Sequence, residues 1–172
     1  MKLLLLRFIP IILILFSCSQ KKENTIVKTT EQSAITKITA ADISKLNFVE
    51  FGLDGKTEKA IETWEAYHEL ALMITDIKKG NLSFFKDNHE AIKTFVKELK
   101  ENIPDTINTP SVDARITALE TKLFKFESIY NLSNNSKEEL NTTIKEFLEA
   151  VSNLNLQMNK KLEKDSQNIY TH

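Results

Sequence analysis

The sequence predicts an all-α fold, an up-down-up-down four-helix bundle that follows a flexible N-terminal tether. The chain has 172 residues but only three glycines and three prolines, so that few positions interrupt helices. Four segments of roughly 20 to 28 residues repeat apolar side chains every three or four positions, which is the period of an amphipathic helix. Short turns between such segments favour packing against antiparallel neighbours.

The N-terminal segment combines a basic start, a short apolar stretch and the only cysteine of the chain. Lys2 and Arg7 supply the positive charge, and mostly apolar residues extend from Leu3 to Phe16. This order is typical of a secretory signal peptide. The tetrad Leu15-Phe16-Ser17-Cys18 resembles the lipobox of bacterial lipoproteins, in which the chain is cut before the cysteine and the thiol is diacylated.

The resemblance implies a signal peptide over residues 1–17 and a protein held at a membrane through acylated Cys18. The implied location is the cell envelope, on the periplasmic face or the cell surface. An uncleaved transmembrane helix and a secreted protein without lipid are the alternatives. The nine uncharged residues from Phe8 to Phe16 fall short of the ~20 that span a bilayer. A single cysteine also excludes an internal disulfide and a CxxC pair.

Residues 18–41 are expected to form the lipidated cysteine and a flexible linker, because this stretch is polar, rich in threonine and without a sustained period. The bundle domain is expected to occupy residues 42–172. Its first part, Asp42 to Leu53, is more apolar and predicts a short helix or an irregular plug over one end of the bundle. Asp54-Gly55 is a turn signal.

Caps and breakers delimit the four predicted helices. The first extends from Thr57 to Lys79 and ends at Gly80. The second begins at Ser83 as N-cap and ends at Pro104. A single long coiled coil is the alternative fold, and the breakers between the helical segments oppose it.

The third predicted helix begins after Thr109, with Pro110 at the first helical position. Its apolar residues follow spacings of four and three, and they are Val112, Ile116, Leu119, Leu123, Phe126 and Tyr130. The fourth helix starts at Ser136, where Ser136 and Glu139 form a capping-box pattern, and it ends near Lys164.

Helix bundles can hold metals in their cores, so we considered the histidines as ligands. Glu65 and His68 have ExxH spacing, which places both on one helix face. His89 on the second helix is expected about one turn away if the first two helices are antiparallel about Gly80. The alternative is two partly buried histidines with hydrogen-bond partners. Ferritin-like proteins use two ExxH pairs, whereas this chain has one. The sequence therefore predicts no bound metal, with Glu65, His68 and His89 as the only candidate ligands.

Other functional classes find little support in the sequence. No CxxCH or GxSxG pattern exists, so we expect no cofactor and no enzymatic activity. The net charge of −1 gives no sign of a nucleic-acid partner. Trp64 and Tyr67 could line a ligand pocket, although packing in the core is the simpler interpretation.

These observations predict a lipid-anchored cell-envelope protein with a structural or protein-interaction role, and another envelope protein as its partner. The alternative is a small-ligand or metal-binding module with Trp64, Tyr67, His68 and His89 near its site. A metal-free bundle core favours the first prediction, and a retained metal favours the second.

The connection between the second and third helices contains Asp105-Thr106-Ile107. This tripeptide resembles the O-glycosylation acceptor of Bacteroidota envelope proteins, in which the threonine hydroxyl carries the glycan. The resemblance implies modification at Thr106 if the segment is exposed, and Pro104 and Pro110 keep it out of a helix. An unmodified loop is the alternative interpretation.

Overall fold

The computed structural model describes residues 37–167. The predicted signal peptide of residues 1–17, Cys18 and most of the 18–41 linker lie outside the described residues. Over 37–167 the chain is helical and contains no strand, and no helix there is both long enough and apolar enough to span a bilayer. The elements are α1 (Ala40–Ile43), α2 (Gly55–Ala60), α3 (Glu65–Lys78), a 3₁₀ turn (Ser83–Phe85), α4 (His89–Glu101), α5 (Pro110–Asn131) and α6 (Lys137–Ser166).

Helices α3 to α6 form the predicted up-down-up-down bundle, which confirms the fold class. The antiparallel order of α4 and α5 is visible at both ends of α4. Asn131 at the end of α5 binds the backbone just before α4, and Lys100 near the end of α4 pairs with Glu120 in the middle of α5. Helices α5 and α6 form the most extensive helix pair, which Lys122 and Lys125 bridge to Glu146.

The core is apolar and follows the predicted periodicity of the two long C-terminal helices. Five of the six predicted heptad positions of α5 have no exposed surface, and Tyr130 is half-buried. Full burial of such a side chain contributes roughly 1.5–3 kcal/mol. The fully buried side chains of α6 are Leu140, Ile144, Phe147, Leu154 and Met158.

Three predicted helix ends are confirmed by their capping geometry. The Thr109 hydroxyl accepts a hydrogen bond from the Val112 N–H at 3.3 Å, and Pro110 is the first residue of α5. The Ser136 hydroxyl accepts from the Glu139 N–H at 3.1 Å. Gly80 follows α3 with φ of +78°, a left-handed conformation that glycine adopts without strain.

The prediction of a single helix from Thr57 to Lys79 is wrong, because the helix is interrupted between Ala60 and Glu65. The two parts differ in their main neighbours, since α2 contacts α6 whereas α3 makes most of its contacts with α1 and α4. Ile61 and Trp64 within the break are each 1% exposed and belong to the hydrophobic core.

The predicted start of the second helix at Ser83 is also wrong, because α4 begins at His89 after a 3₁₀ turn. Asp87 lies between the two elements with φ of +49° and interrupts the helix. The side chain of Asn131 stabilises this connection: its Oδ1 accepts from the Asp87 N–H at 2.9 Å, and its Nδ2 donates to the Phe85 carbonyl at 2.8 Å. A distant side chain therefore sets this helix boundary.

The segment predicted as a short helix or a plug over one end of the bundle contains α1 and a non-helical stretch, residues 49–54. Thr39 caps α1 with a complete capping box. Residues 49–54 run along α6 in the same direction, and α6 side chains satisfy the backbone of this segment. Ser152 donates to the Val49 carbonyl and accepts from the Phe51 N–H, Asn155 donates to the Phe51 carbonyl, and Asn159 donates to the Gly52 carbonyl and accepts from the Asp54 N–H.

Candidate functional site

Trp64 and Tyr67 belong to the core of the domain. Trp64 is 1% exposed and Tyr67 is 7% exposed, and their ring centroids are 5.5 Å apart. The Tyr67 hydroxyl donates to Asn155 Oδ1 on α6 at 2.6 Å. Burial of the phenol raises the pKa of Tyr67 to about 12, because it disfavours the phenolate. The hydrogen bond of Tyr67 joins α3 to α6.

Glu65 and His68 lie exposed in the first turn of α3. The His68 ring donates from Nε2 to the backbone carbonyl of Glu62, with 3.0 Å between the two atoms. The Glu62 carbonyl belongs to the break between α2 and α3, so that His68 closes this break with a local hydrogen bond. The contact uses Nε2, one of the two ring nitrogens of His68.

His89, the first residue of α4, contacts α5. Its Nδ1 lies 3.3 Å from Oε2 of Glu127, and its ring centroid is 5.5 Å from that of Phe124. Glu127 is only 8% exposed, and its Oε1 accepts from Asn131 Nδ2 at 3.1 Å. His89, Glu127 and Asn131 together fix the start of α4 on the end of α5. Sequence reasoning missed Glu127, although its place beside the heptad position Phe126 was a signal that it flanks the core.

The metal-ligand candidates are distributed between two separate hydrogen-bond systems. His68 binds the α2–α3 break, and His89 binds Glu127 on α5. Among residues 37–167, no group of three or more His, Cys, Asp or Glu side chains could hold a metal ion. Glu65, His68 and His89 therefore do not assemble into the site considered from the sequence.

Thr106 lies in the turn between α4 and α5. The N–H groups of Ile107 and Asn108 both donate to the Pro104 carbonyl at 3.0 Å, which closes the turn. Ile107 is completely buried and anchors the turn, whereas Asp105 and Thr106 are exposed. The structure therefore meets the physical requirement for an accessible acceptor, and modification of Thr106 stays a prediction.

A groove between α3, the 3₁₀ turn and α4 was not predicted from the sequence. The groove has a volume of about 370 Å³, and five of its eight lining residues are aliphatic or aromatic. Leu72 is 68% exposed and Phe84 is 39% exposed, which is unusual for large apolar side chains of this domain. We call it the α3–α4 groove, and its lining residues are Glu69, Leu72, Met73, Asp76, Asn81, Phe84, Phe85 and Phe95.

The charged residues of the α3–α4 groove are both acidic. Glu69 and Asp76 stand one turn before and one turn after Leu72 on α3, and no lysine, arginine or histidine lines the groove. The sequence signal was available in the run Glu69–Asp76, where a leucine interrupts the exposed acidic face of the helix. The groove was missed because Phe84 and Phe95 lie beside this face of α3 only in the folded domain.

The lining of the groove is not that of a site for nucleophilic catalysis. It contains no serine, cysteine or histidine that could serve as nucleophile or base. An open, largely apolar groove is instead the form of surface on which another macromolecule packs.

The chain matches no family model, no curated protein and no solved structure.

Proposed function

We propose that this chain is a lipid-anchored cell-envelope protein whose helical bundle binds another envelope protein. The observation that carries the interaction role is the α3–α4 groove. Leu72 and Phe84 both line it, and the parts of these side chains that stay in water add no hydrophobic stabilisation to the isolated domain. Exposed apolar side chains that gather in one place are typical of an interaction surface, whereas scattered ones are not.

The anchoring part of the proposal rests on residues 1–18 of the sequence. The resemblance of Leu15-Phe16-Ser17-Cys18 to a lipobox places the acyl chains on Cys18. Each buried CH₂ group contributes roughly 0.8 kcal/mol, so that more than one acyl chain gives stable attachment. A linker of some twenty residues reaches about 25 Å on average, enough to hold the domain clear of lipid headgroups.

The two parts of the proposal fit together physically. A tether confines the bundle to the neighbourhood of the membrane and thereby raises its effective concentration near other envelope proteins. Weak contacts through a small groove can then suffice for association. The ligand-module alternative has less support, because Trp64 and Tyr67 are buried in the core and the two histidines bond separate partners.

The anchoring is tested by replacing Cys18→Ser in the full chain, with Ser19→Ala as the matched control. In cells fed a fatty acid that carries an alkyne group, the wild-type chain and the Ser19→Ala variant are expected to incorporate label and to partition into detergent. Cys18→Ser is expected to incorporate none, because no second cysteine exists. A Cys18→Ser chain that is cleaved and still partitions like wild type contradicts the lipid anchor.

A further inference from the structure

We infer that the α3–α4 groove binds a basic segment of a partner protein, which inserts an aliphatic or aromatic side chain between Leu72 and Phe84. This inference rests on the proposed interaction role and adds the chemistry of the partner. It follows from two properties of the same surface, namely its apolar floor and its acidic rim.

The floor of the groove is apolar and fixed by the core. Met73, Phe85 and Phe95 are between 1% and 8% exposed, so that their positions are held by packing inside the domain. Leu72 and Phe84 rise above this floor and remain accessible. An aliphatic or aromatic anchor between them removes apolar surface from water on both sides. A preformed pocket of this kind is where binding energy concentrates in protein interfaces.

The rim of the groove carries two carboxylates, of which only Asp76 has an ion-pair partner within residues 37–167. Glu69 forms no ion pair with any residue in the range 37–167. Asp76 Oδ1 lies 3.9 Å from Lys79 Nζ, and both side chains are more than half exposed. An exposed pair at that distance contributes little. Lysine or arginine side chains of a partner therefore find two carboxylates beside the apolar contact.

The acidic rim separates a basic protein segment from the other candidate occupants. A membrane with anionic headgroups is repelled by Glu69 and Asp76. A second copy bound through a two-fold axis brings two acidic rims into one interface, because the same patch serves both partners. A basic segment meets neither penalty, and complementary charge also accelerates its association.

Photo-crosslinking from the full-length chain in intact cells tests the inference. A photoreactive amino acid replaces Leu72 inside the groove, and in a matched control it replaces Val49. Val49 is a suitable control because it is also 68% exposed but belongs to the segment along α6. We expect position 72, and not position 49, to give an adduct with an envelope protein. Mass spectrometry of the adduct is expected to identify a peptide with net positive charge and an apolar side chain at the link.

The charge requirement is tested in the same cells. The double variant Glu69→Gln/Asp76→Asn is expected to lower the adduct yield by about three- to tenfold, which corresponds to two exposed ion pairs. The control Glu62→Gln/Glu163→Gln removes two exposed carboxylates that do not line the groove, and it is expected to leave the yield unchanged. All four substitutions are on exposed positions and preserve side-chain size, so that folding is retained.

Several results overturn the inference. No adduct from position 72, an adduct only with a second copy or with lipid, or equal adducts from positions 72 and 49 would each overturn the groove as the binding surface. A neutral or acidic linked peptide, or an unchanged yield in the Glu69→Gln/Asp76→Asn variant, would overturn the basic partner. Fractionation of the cells keeps the two proposals apart. A chain that is acylated and captures a protein only from position 49 keeps the proposed function and overturns the groove. A basic adduct from a chain without lipid overturns the anchor alone.

Discussion

Single polar side chains determine how the elements of this domain join. Asn131 binds the backbone on both sides of the turn before α4, and Glu127 holds His89 at the start of that helix. Each residue is an ordinary polar position in the sequence. Their roles could not be predicted because their partners lie 38 to 46 residues away, and only the packing of α4 on α5 brings them together.

Tyr67 provides a prediction at the scale of one residue. Its phenol is buried and donates to Asn155, and burial raises its pKa from 10.0 to about 12. A raised pKa means that the folded state favours the protonated phenol. The contribution of Tyr67 to stability is therefore fully present below pH 10, and it is lost as the pH rises through about 12.

The absorbance of tyrosinate at alkaline pH checks this prediction. The titration of the wild-type chain minus that of Tyr67→Phe is expected to show one phenol with a pKa near 12. In denaturant the same difference is expected to move to the ordinary tyrosine pKa of about 10. A difference curve that already titrates near pH 10 in the folded protein would show that the Tyr67 ring is open to water.

At the scale of elements, local signals predicted some boundaries and missed others. The starts of α5 and α6 were predicted because Thr109 and Ser136 cap the residues that follow them. The break between α2 and α3 was missed because Ile61 and Trp64 keep a helical spacing across it. Periodicity reports which side chains are buried, and it does not report that α2 packs on α6 while α3 packs on α4.

Gly80 provides a prediction about one of these boundaries. It ends α3 with φ of +78°, and a Cβ at this position would lie 2.9 Å from the backbone of Thr39 and Ala40. Gly80→Ala therefore combines an unfavourable φ with a backbone clash that no side-chain rotation relieves. We expect the free energy of unfolding to fall by more than about 1 kcal/mol.

Urea unfolding followed by circular dichroism measures this change. Gly52→Ala is the matched control, because no atom beyond its two chain neighbours lies within 4 Å of the place that its new methyl group would occupy, and its φ is not in the left-handed region. We expect the control to change stability by no more than about 0.5 kcal/mol. Equal effects of the two substitutions would mean that the contact between Gly80 and α1 does not constrain the folded state.

At the scale of the whole molecule, the sequence predicted the bundle but not the candidate site. The bundle depends on four amphipathic periods, which are local properties of the chain. The α3–α4 groove depends on three elements that meet only after folding. The expected approach of His68 and His89 assumed that two helices adjoin directly at Gly80. In the structure, the 3₁₀ turn and Asp87 lie between α3 and α4 and change their register.

The last prediction concerns the covalent state of the whole chain. Thr106 is exposed in the turn that Pro104 closes and Ile107 anchors, so that its hydroxyl is accessible to a modifying enzyme. In a Bacteroidota host, we expect the native mature protein to be heavier than the acylated polypeptide by the mass of a glycan. Thr106→Val is expected to remove that increment, because it keeps the shape of the side chain and loses the hydroxyl.

Intact-mass spectrometry measures the increment, and Thr94→Val is the control, because Thr94 is also exposed but lies within α4. The Thr94 hydroxyl donates to the carbonyl of Glu90 one turn earlier, so that helix geometry keeps it from adopting an extended acceptor conformation. We expect this control to retain the glycan. A native mass equal to that of the acylated polypeptide alone rules out modification at Thr106, and an increment that persists in Thr106→Val assigns the glycan to another residue.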